Sequence, residues 1–382
     1  MTQEQKLLID ALAVAITGKP RSLDTQVDWQ AFLRLVRSHS VTALVCDGLQ
    51  KAGAELPEQV SQRLQTGYLQ AIYQDAQLDY TRAQLHEKLG DIPHIFLKGS
   101  VLKQDYPVPA LRTMSDLDVL CYAKDFAAID SVAKALEGTP LDGDGNHRNY
   151  RFPGGTLVEF HPNLLHHASP IGTGINPGWQ YAQLTENGWQ QTEEGFYLHT
   201  LCHLAHHFAS GGVGVRFVLD IWVSRHLRKN QPDRAFIEKE LTRFGMLDFA
   251  QKLEALSDGW FSDGPMTELL EELGEYILTS GSHGTTDRAI LNSLSLSPGG
   301  SRASALLKKA FYPRAELEDR FPWCKGRPLL LPAAWCARAF KAVTTHGDLI
   351  AKWSKDTGKV DKAQIAHQRQ KLHRFGIRRG DH

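Results

Sequence analysis

Two aspartates at the start of an apolar segment have the residue types and the spacing to do chemistry. The segment at 116–120 reads DLDVL, and a β-strand turns alternate side chains to one face, so the carboxylates of Asp116 and Asp118 would lie together. Neighbouring carboxylates repel each other unless a proton or a cation compensates, and hard divalent cations such as Mg²⁺ prefer oxygen ligands. The pattern indicates a divalent-metal site, although a solvated turn ahead of a strand would show the same two residues.

A third acid, Glu159, lies in the apolar segment LVEFH at 157–161. Strand alternation puts Glu159 and His161 on one face and a valine and a phenylalanine on the other. If this strand paired with the one that carries Asp116 and Asp118, three carboxylates would meet and could hold two metal ions for phosphoryl chemistry. The alternative is an acid on an edge strand that faces water.

A Lys-Gly-Ser turn, Lys98 to Ser100, follows a short apolar strand at 94–97. Where a strand turns into a helix, free backbone N–H groups and the helix dipole favour an anion, and Gly99 permits its close approach. Ser100 could donate its hydroxyl to a triphosphate, while Lys98 and Arg112 could neutralise the substrate or the leaving pyrophosphate. Most Gly-Ser turns bind nothing, so this turn supports a phosphate site only together with the acids.

Taken in order, these segments resemble the nucleotidyltransferase superfamily of the DNA polymerase beta type, and most closely its bacterial group of uncharacterised nucleotidyltransferases. The resemblance lies in a Gly-Ser turn, an Asp-hydrophobic-Asp pair and a third acid on a later strand, and it extends to the helical motifs LCHLAHH (201–207) and VRFVLD (215–220). It covers roughly residues 90–225. Fifteen residues separate Ser100 from Asp116, a longer spacing than many members of the wider superfamily have.

The resemblance implies roles for the residues that match. Gly99 and Ser100 would grip the triphosphate of an NTP, Asp116 and Asp118 would bind two Mg²⁺ (or Mn²⁺) ions, and Glu159 would join the metal that activates the acceptor hydroxyl. Nucleotidyl transfer would follow, with pyrophosphate as the leaving group. The acceptor stays open between a small molecule or sugar, a protein side chain and the 3′ end of an RNA. A non-catalytic nucleotide-binding or regulatory module on the same fold is the alternative.

A histidine cluster offers a second interpretation. His203, His206 and His207 are spaced so that they neighbour each other on a helix and could ligate a transition metal, as in a metallohydrolase. The H-E-x-x-H pattern of such enzymes does not occur in the sequence. These histidines, with Arg216 and Asp220 from the next helix, could equally lie near the nucleotide or serve the fold alone.

The elements that must position these residues indicate an α+β fold, with a small mixed sheet flanked by an N-terminal and a C-terminal helical region. Apolar spacing predicts helices over the first ninety residues, a hairpin at 148–161, a long loop at about 162–195 and helices from Phe196 to about Val343. The predicted division is a helical region at 1–90, a nucleotidyltransferase core at 91–165, a helical domain at 166–345 and a basic tail at 346–382.

Composition and charge limit the classes of protein to which the chain can belong. The chain has 382 residues, 42% of them hydrophobic, which excludes collagen-like and disordered classes. Lys plus Arg and Asp plus Glu are both 43, so no overall positive field favours a nucleic-acid coat, although the basic tail could contact a surface. Five cysteines without a C-x-x-C pair and no recognisable export signal or membrane-spanning run predict a cytoplasmic protein.

Overall fold

The computed structural model describes residues 1–141, 147–164, 178–282, 284–297, 311–312 and 314–377. It is mostly helical, with a small sheet in the middle of the chain, which confirms the α+β prediction. The described helices are α1 (Gln3–Thr17), α2 (Trp29–Ser38), α3 (Thr42–Lys51), α4 (Glu58–Leu89), α5 (Gly99–Leu102), α6 (Phe126–Ala135), α7 (Glu193–Ser210), α8 (Val215–His226), α9 (Arg234–Arg243), α10 (Leu247–Phe261), α11 (Glu268–Leu278), α12 (Thr286–Ser295), α13 (Arg314–Arg320), α14 (Leu331–Lys359) and α15 (Lys362–Arg374). The described strands are β1 (His94–Phe96), β2 (Asp116–Cys121), β3 (Thr139–Pro140), β4 (Arg148–Arg151), β5 (Leu157–His161), β6 (Ala182–Thr185) and β7 (Gly188–Gln191).

The N-terminal helices share one core with helices from the second half of the chain. α1 begins at a capping box formed by Thr2 and Gln5 and ends at Gly18, whose φ of 66° suits glycine. Its apolar residues from Leu7 to Ile16 are almost fully buried, because α1 packs on both α3 and α10. The 32-residue α4 starts after Pro57 and leads into the sheet.

The central sheet has the order β1-β2-β5-β4-β3 and is mixed. β2 is antiparallel to β1 and parallel to β5, and β5 forms the predicted hairpin with β4. That hairpin turns at Pro153-Gly154-Gly155, where both glycines have a positive φ. One face of the sheet packs on α4 and α6 through Val119, Phe160 and their neighbours. The opposite face carries Asp116, Asp118 and Glu159, since these alternate with the buried residues along β2 and β5.

The segment expected to be a long loop contains a second, two-stranded sheet. β6 and β7 pair antiparallel across Glu186 and Asn187, and Gly188 takes a φ of 90°. The loop prediction was therefore wrong at 182–191. The Asn-Gly pair at 187–188 is a strong hairpin signal that could have predicted this turn. Residues 165–177 of the same segment lie outside the described part of the chain.

The described residues between 193 and 343 are mostly helical, in agreement with the prediction, although α7 starts at Glu193, capped by Thr192, rather than at Phe196. α15, which lies within the basic segment, packs on α12. Its buried Gln368 hydrogen-bonds to Tyr276 and Asn292, and Phe375 just after it contacts the ring of Phe208 in α7 at 6.1 Å between centroids. The basic segment therefore includes a folded helix. The domain limits at 90, 165 and 345 stay predictions. Among the described helices, none is both long enough and apolar enough to cross a membrane.

Candidate active site

A cavity of about 450 Å³ lies over the acidic face of the sheet, where α5, α7 and α8 approach it. Of the thirteen residues that the sequence marks as candidates, twelve line this cavity. They are Lys98, Gly99, Arg112, Asp116, Asp118, Glu159, His161, His203, His206, His207, Arg216 and Asp220. Residues more than a hundred positions apart thus meet at one place, whereas strand pairing predicted only that the three acids would meet.

Ser100 is the exception. Its side chain is buried, donates its hydroxyl to the Leu97 carbonyl at 2.9 Å, and faces a neighbouring cavity instead. The turn that it belongs to leads into α5, a helix of only four residues. The structure therefore does not bring the Ser100 hydroxyl to the acids, and the expected phosphate contact has no geometric support from it.

The carboxylates of Asp118 and Glu159 share one partner. The two residues are directly paired across the parallel strands β2 and β5. His161 Nε2 lies 2.8 Å from Asp118 Oδ1 and 3.4 Å from Glu159 Oε2, and the Lys98 ammonium lies 3.1 Å from the other oxygen of Asp118. Asp116 is next along the same face and accepts a hydrogen bond from the Ser115 hydroxyl at 3.2 Å. Two cationic groups thus offset the acids.

The pKa values reflect this arrangement. Burial and the neighbouring Asp118 raise the pKa of Asp116. Burial alone would raise the pKa of Asp118 too, but Lys98 and His161 hold it well below its usual range. The hydrogen bond from His161 lowers the pKa of Glu159, and the two carboxylates raise the pKa of His161 in spite of its burial. Asp118 and Glu159 are therefore ionised at neutral pH, as cation ligands must be.

Lys98 adopts an unusual backbone conformation, with φ 46° and ψ −118°. Side chains other than glycine avoid positive φ, and such strain costs on the order of 1–3 kcal/mol and concentrates at functional sites. The hydrogen bond from the Leu97 N–H to the Asp118 carbonyl, at 3.0 Å, ties the preceding residue to β2. The strained turn thereby aims the Lys98 ammonium at the Asp118 carboxylate.

Gly99 is required for close packing rather than for a special φ. A Cβ atom at this position would lie 2.4 Å from Arg112 Nη1 and 2.9 Å from Met114 Sδ. Contacts that short do not occur in folded proteins, so any other residue must displace the arginine. Gly99 therefore lets the turn lie directly on the Arg112 side chain.

Arg112 itself is bound inside the protein. Its Nε and Nη2 donate to the two oxygens of Asp220 at 2.9 and 2.7 Å, and the Tyr106 hydroxyl donates to the same carboxylate at 2.7 Å. Burial would lower the pKa of Arg112, but Asp220 outweighs it and raises that pKa. The charge of Arg112 is thus committed to Asp220, and the pair joins α8 to the segment before β2.

Arg216, at the start of α8, differs from Arg112. Its Nη1 donates to the Thr113 carbonyl at 2.6 Å, and no carboxylate of the described residues lies within ion-pair distance. Burial, together with the nearby Arg112, lowers the pKa of Arg216. A guanidinium that lines the cavity without a carboxylate partner is ready to bind an anion.

Four histidines of α7, at 199, 203, 206 and 207, lie close together. His203 and His207 approach to 2.9 Å between their Nε2 atoms. Burial and Lys98 hold the pKa of His203 well below its usual range, and burial lowers the pKa of His199, which lies behind the cavity, to about 3. Within the described residues, the three-ligand group that could hold a metal is Asp118, Glu159 and His161, not this cluster. The metallohydrolase interpretation therefore has no ligand geometry behind it.

Sequence reasoning missed Asn149. It is the cross-strand partner of Glu159 in the β4–β5 hairpin and lines the cavity. Its amide Oδ1 is buried and has no hydrogen-bond partner among the described residues. Alternation within the predicted hairpin would have placed Asn149 on the face of the acids. His147, Thr200 and Phe217 line the same cavity, and no short-range pattern singles them out.

Comparison with known proteins gives a family match. A protein family described as uncharacterised nucleotidyltransferase matches residues 25–262, which is wider than the segment in which the motifs were recognised. No curated protein and no solved structure is detectably similar to the chain.

Proposed function

The chain belongs to the family of uncharacterised nucleotidyltransferases, and on that premise we propose that it transfers a nucleoside monophosphate from an NTP to an acceptor hydroxyl. One observation carries the proposal: Asp116, Asp118 and Glu159 lie on one face of the sheet, inside a cavity that also holds a cation without a carboxylate partner. Acids together with a guanidinium that has no carboxylate partner among the described residues suit a substrate that is a metal-bound polyanion.

The donor set fits a divalent cation. Asp116, Asp118 and Glu159 supply hard oxygen ligands, and Asp118 and Glu159 are ionised at neutral pH. They would hold Mg²⁺ or Mn²⁺. When bound, such an ion neutralises charge at the α-phosphate and lowers the pKa of an oxygen that it ligates.

The remaining roles fall to side chains of the cavity. Arg216 would bind the triphosphate, since Arg112 is committed to Asp220. Lys98 would contact a phosphate oxygen while it stays close to Asp118. In the reaction the acceptor oxygen forms a bond to the α-phosphorus, the bond to the bridging oxygen breaks, and pyrophosphate leaves. Glu159 would join the metal that activates the acceptor hydroxyl, because its lowered pKa keeps it ionised as a ligand must be, and the hydroxyl proton would pass to water.

The acceptor stays open between a small molecule or sugar, a protein side chain and an RNA end. A cavity of about 450 Å³ is within the range of small-molecule sites, which favours searching small molecules first. A cytoplasmic location stays a prediction from the cysteine content.

Calorimetric titration of the four NTPs with and without Mg²⁺ tests the proposal. Wild-type protein should bind at least one NTP only with the metal, and the double variant Asp116→Asn, Asp118→Asn should lose that binding. Asp91→Asn, an exposed acid before β1, is the matched control and should bind as the wild type does. Binding of an NTP that ignores Mg²⁺ would instead favour the non-catalytic module. If a nucleotide binds with the metal, release of pyrophosphate in cell extract identifies active acceptors.

A further inference from the structure

The side chains that converge in the cavity are not all carboxylates. His161 follows Glu159 by two residues on β5, so strand alternation turns its imidazole to the acidic face. Its Nε2 atom contacts an oxygen of Asp118 at 2.8 Å and an oxygen of Glu159 at 3.4 Å. One nitrogen therefore lies between two carboxylate oxygens.

These separations are those of ligands around one ion. A metal that binds at about 2.1 Å in octahedral geometry holds adjacent ligand atoms about 3.0 Å apart, and the two distances at His161 lie on either side of that value. The three ligand atoms all lie within 4.8 Å of one another. Little movement would bring them into one coordination shell.

Two further observations concern the same part of the cavity. Lys98 occupies the Oδ2 atom of Asp118, so Oδ1 is the oxygen that faces Glu159 and His161. Asn149, opposite Glu159 on β4, lines the cavity, and its buried amide oxygen has no hydrogen-bond partner in the described part of the chain. A buried oxygen without a hydrogen bond is costly and calls for a ligand, and an amide oxygen is an acceptable fourth donor to a divalent ion.

The nitrogen ligand decides which ion fits. Mg²⁺ prefers oxygen and dehydrates reluctantly, whereas imidazole suits transition metals and carboxylate also suits Mn²⁺. Building on the function proposed above, we propose that Asp118, Glu159 and His161 bind a transition-metal dication of the Mn²⁺ type, with His161 Nε2 bonded directly to it, in preference to Mg²⁺. The competing explanation is that His161 donates a hydrogen bond to Asp118 and only orients it.

Pulsed electron paramagnetic resonance of the full chain loaded with Mn²⁺ distinguishes the two. Direct ligation by His161 should give a strong ¹⁴N modulation that changes to ¹⁵N frequencies when the protein is labelled with [¹⁵N]histidine. His161→Gln should abolish the modulation. His147→Gln is the matched control, since its ring lies 4.6 Å from that of His161 in the same cavity, and it should keep the signal. Bound Mn²⁺ without nitrogen modulation in unlabelled wild type would overturn the inference.

Competition between ions provides the second measurement. The loss of the free Mn²⁺ signal on addition of protein gives the affinity for Mn²⁺. Displacement of the bound Mn²⁺ by added Mg²⁺ gives the affinity for Mg²⁺. His161→Gln should weaken Mn²⁺ binding by about tenfold or more and Mg²⁺ binding by far less. Equal losses for both ions would contradict the inference. If Mn²⁺ binds without nitrogen ligation while NTP binding persists, only the inference fails; if neither ion binds at any concentration, the proposed function fails as well.

Discussion

Asp118 and Glu159 face each other across two parallel strands, paired residue to residue by the backbone hydrogen bonds of β2 and β5. Neighbouring strands lie about 4.8 Å apart, so the ladder itself fixes the distance between the two carboxylates. Side-chain rotation can relieve only part of their repulsion. The sheet thus imposes a requirement for positive charge at this point, which Lys98 and His161 meet in the structure.

Asp116→Asn and Asp118→Asn should both abolish metal-dependent transfer but differ in stability. Asp118→Asn removes the carboxylate charge that Lys98 contacts and leaves His161 with Glu159 alone, so the free energy of unfolding should fall by about 1–3 kcal/mol. Burial and the neighbouring Asp118 disfavour the charged form of Asp116. Asp116→Asn should therefore leave the free energy of unfolding unchanged or raise it. Urea unfolding at pH 7 without metal measures both. A larger loss for Asp116→Asn would show that the charge balance is misassigned.

Arg112 and Arg216 should separate stability from substrate binding. Arg112→Met leaves the buried carboxylate of Asp220 without its cation. Removing one partner of a buried ion pair lowers the free energy of unfolding by about 3–5 kcal/mol. Arg216→Met removes no carboxylate contact, so unfolding should change little while the KM for NTP rises about tenfold or more, through loss of a charge-assisted contact to phosphate. Urea unfolding and initial rates measure the two effects. An unchanged KM in Arg216→Met would exclude it as a phosphate ligand.

Gly99→Ala should impair both folding and activity. The added Cβ would lie 2.4 Å from Arg112 Nη1, so the arginine must shift away from Asp220, at a cost of about 1–3 kcal/mol, the usual range for overpacking. Gly358→Ala is a suitable control, because a Cβ there meets open space. Thermal unfolding of the two variants compares them directly. Equal melting temperatures would mean that the loop relaxes without disturbing Arg112.

Acid should destabilise the protein through its buried histidines. Burial lowers the pKa of His199 to about 3, whereas the unfolded chain binds a proton near pH 6.5. The unfolded state therefore binds more protons below pH 6.5, and stability falls as pH drops from 6.5 towards 3, by up to about 1.4 kcal/mol per pH unit for one such group. His199→Met should flatten this slope, and it also removes a buried Nε2 atom without a partner. Exposed His373→Gln should leave the slope unchanged.

Those features of the fold and site that depend on residues close together in the sequence could be predicted from the sequence. Alternation along β2 and β5 placed the acids on one face, and the glycines at 154 and 155 marked the hairpin. The Arg112–Asp220 pair joins residues 108 positions apart, and no sequence period connects them, so the sequence could not predict that the fold holds Arg112 in an ion pair. The Ser100 hydroxyl is likewise bonded inside the fold, to a backbone carbonyl three residues away. A nucleotide-binding role for either residue stays a prediction.

The packing of α1 and α15 bears on how such proteins evolve. The recognisable family region ends at residue 262, yet Phe208, on the helix that carries the histidines, contacts Phe375, and α1 lies buried against α3 and α10. Selection on the fold must therefore act on a longer stretch than the one that similarity detects. Through this packing, a substitution in α1 or α15 changes the surroundings of α10 or α7, so the flanking helices and the interior helices must stay compatible with each other.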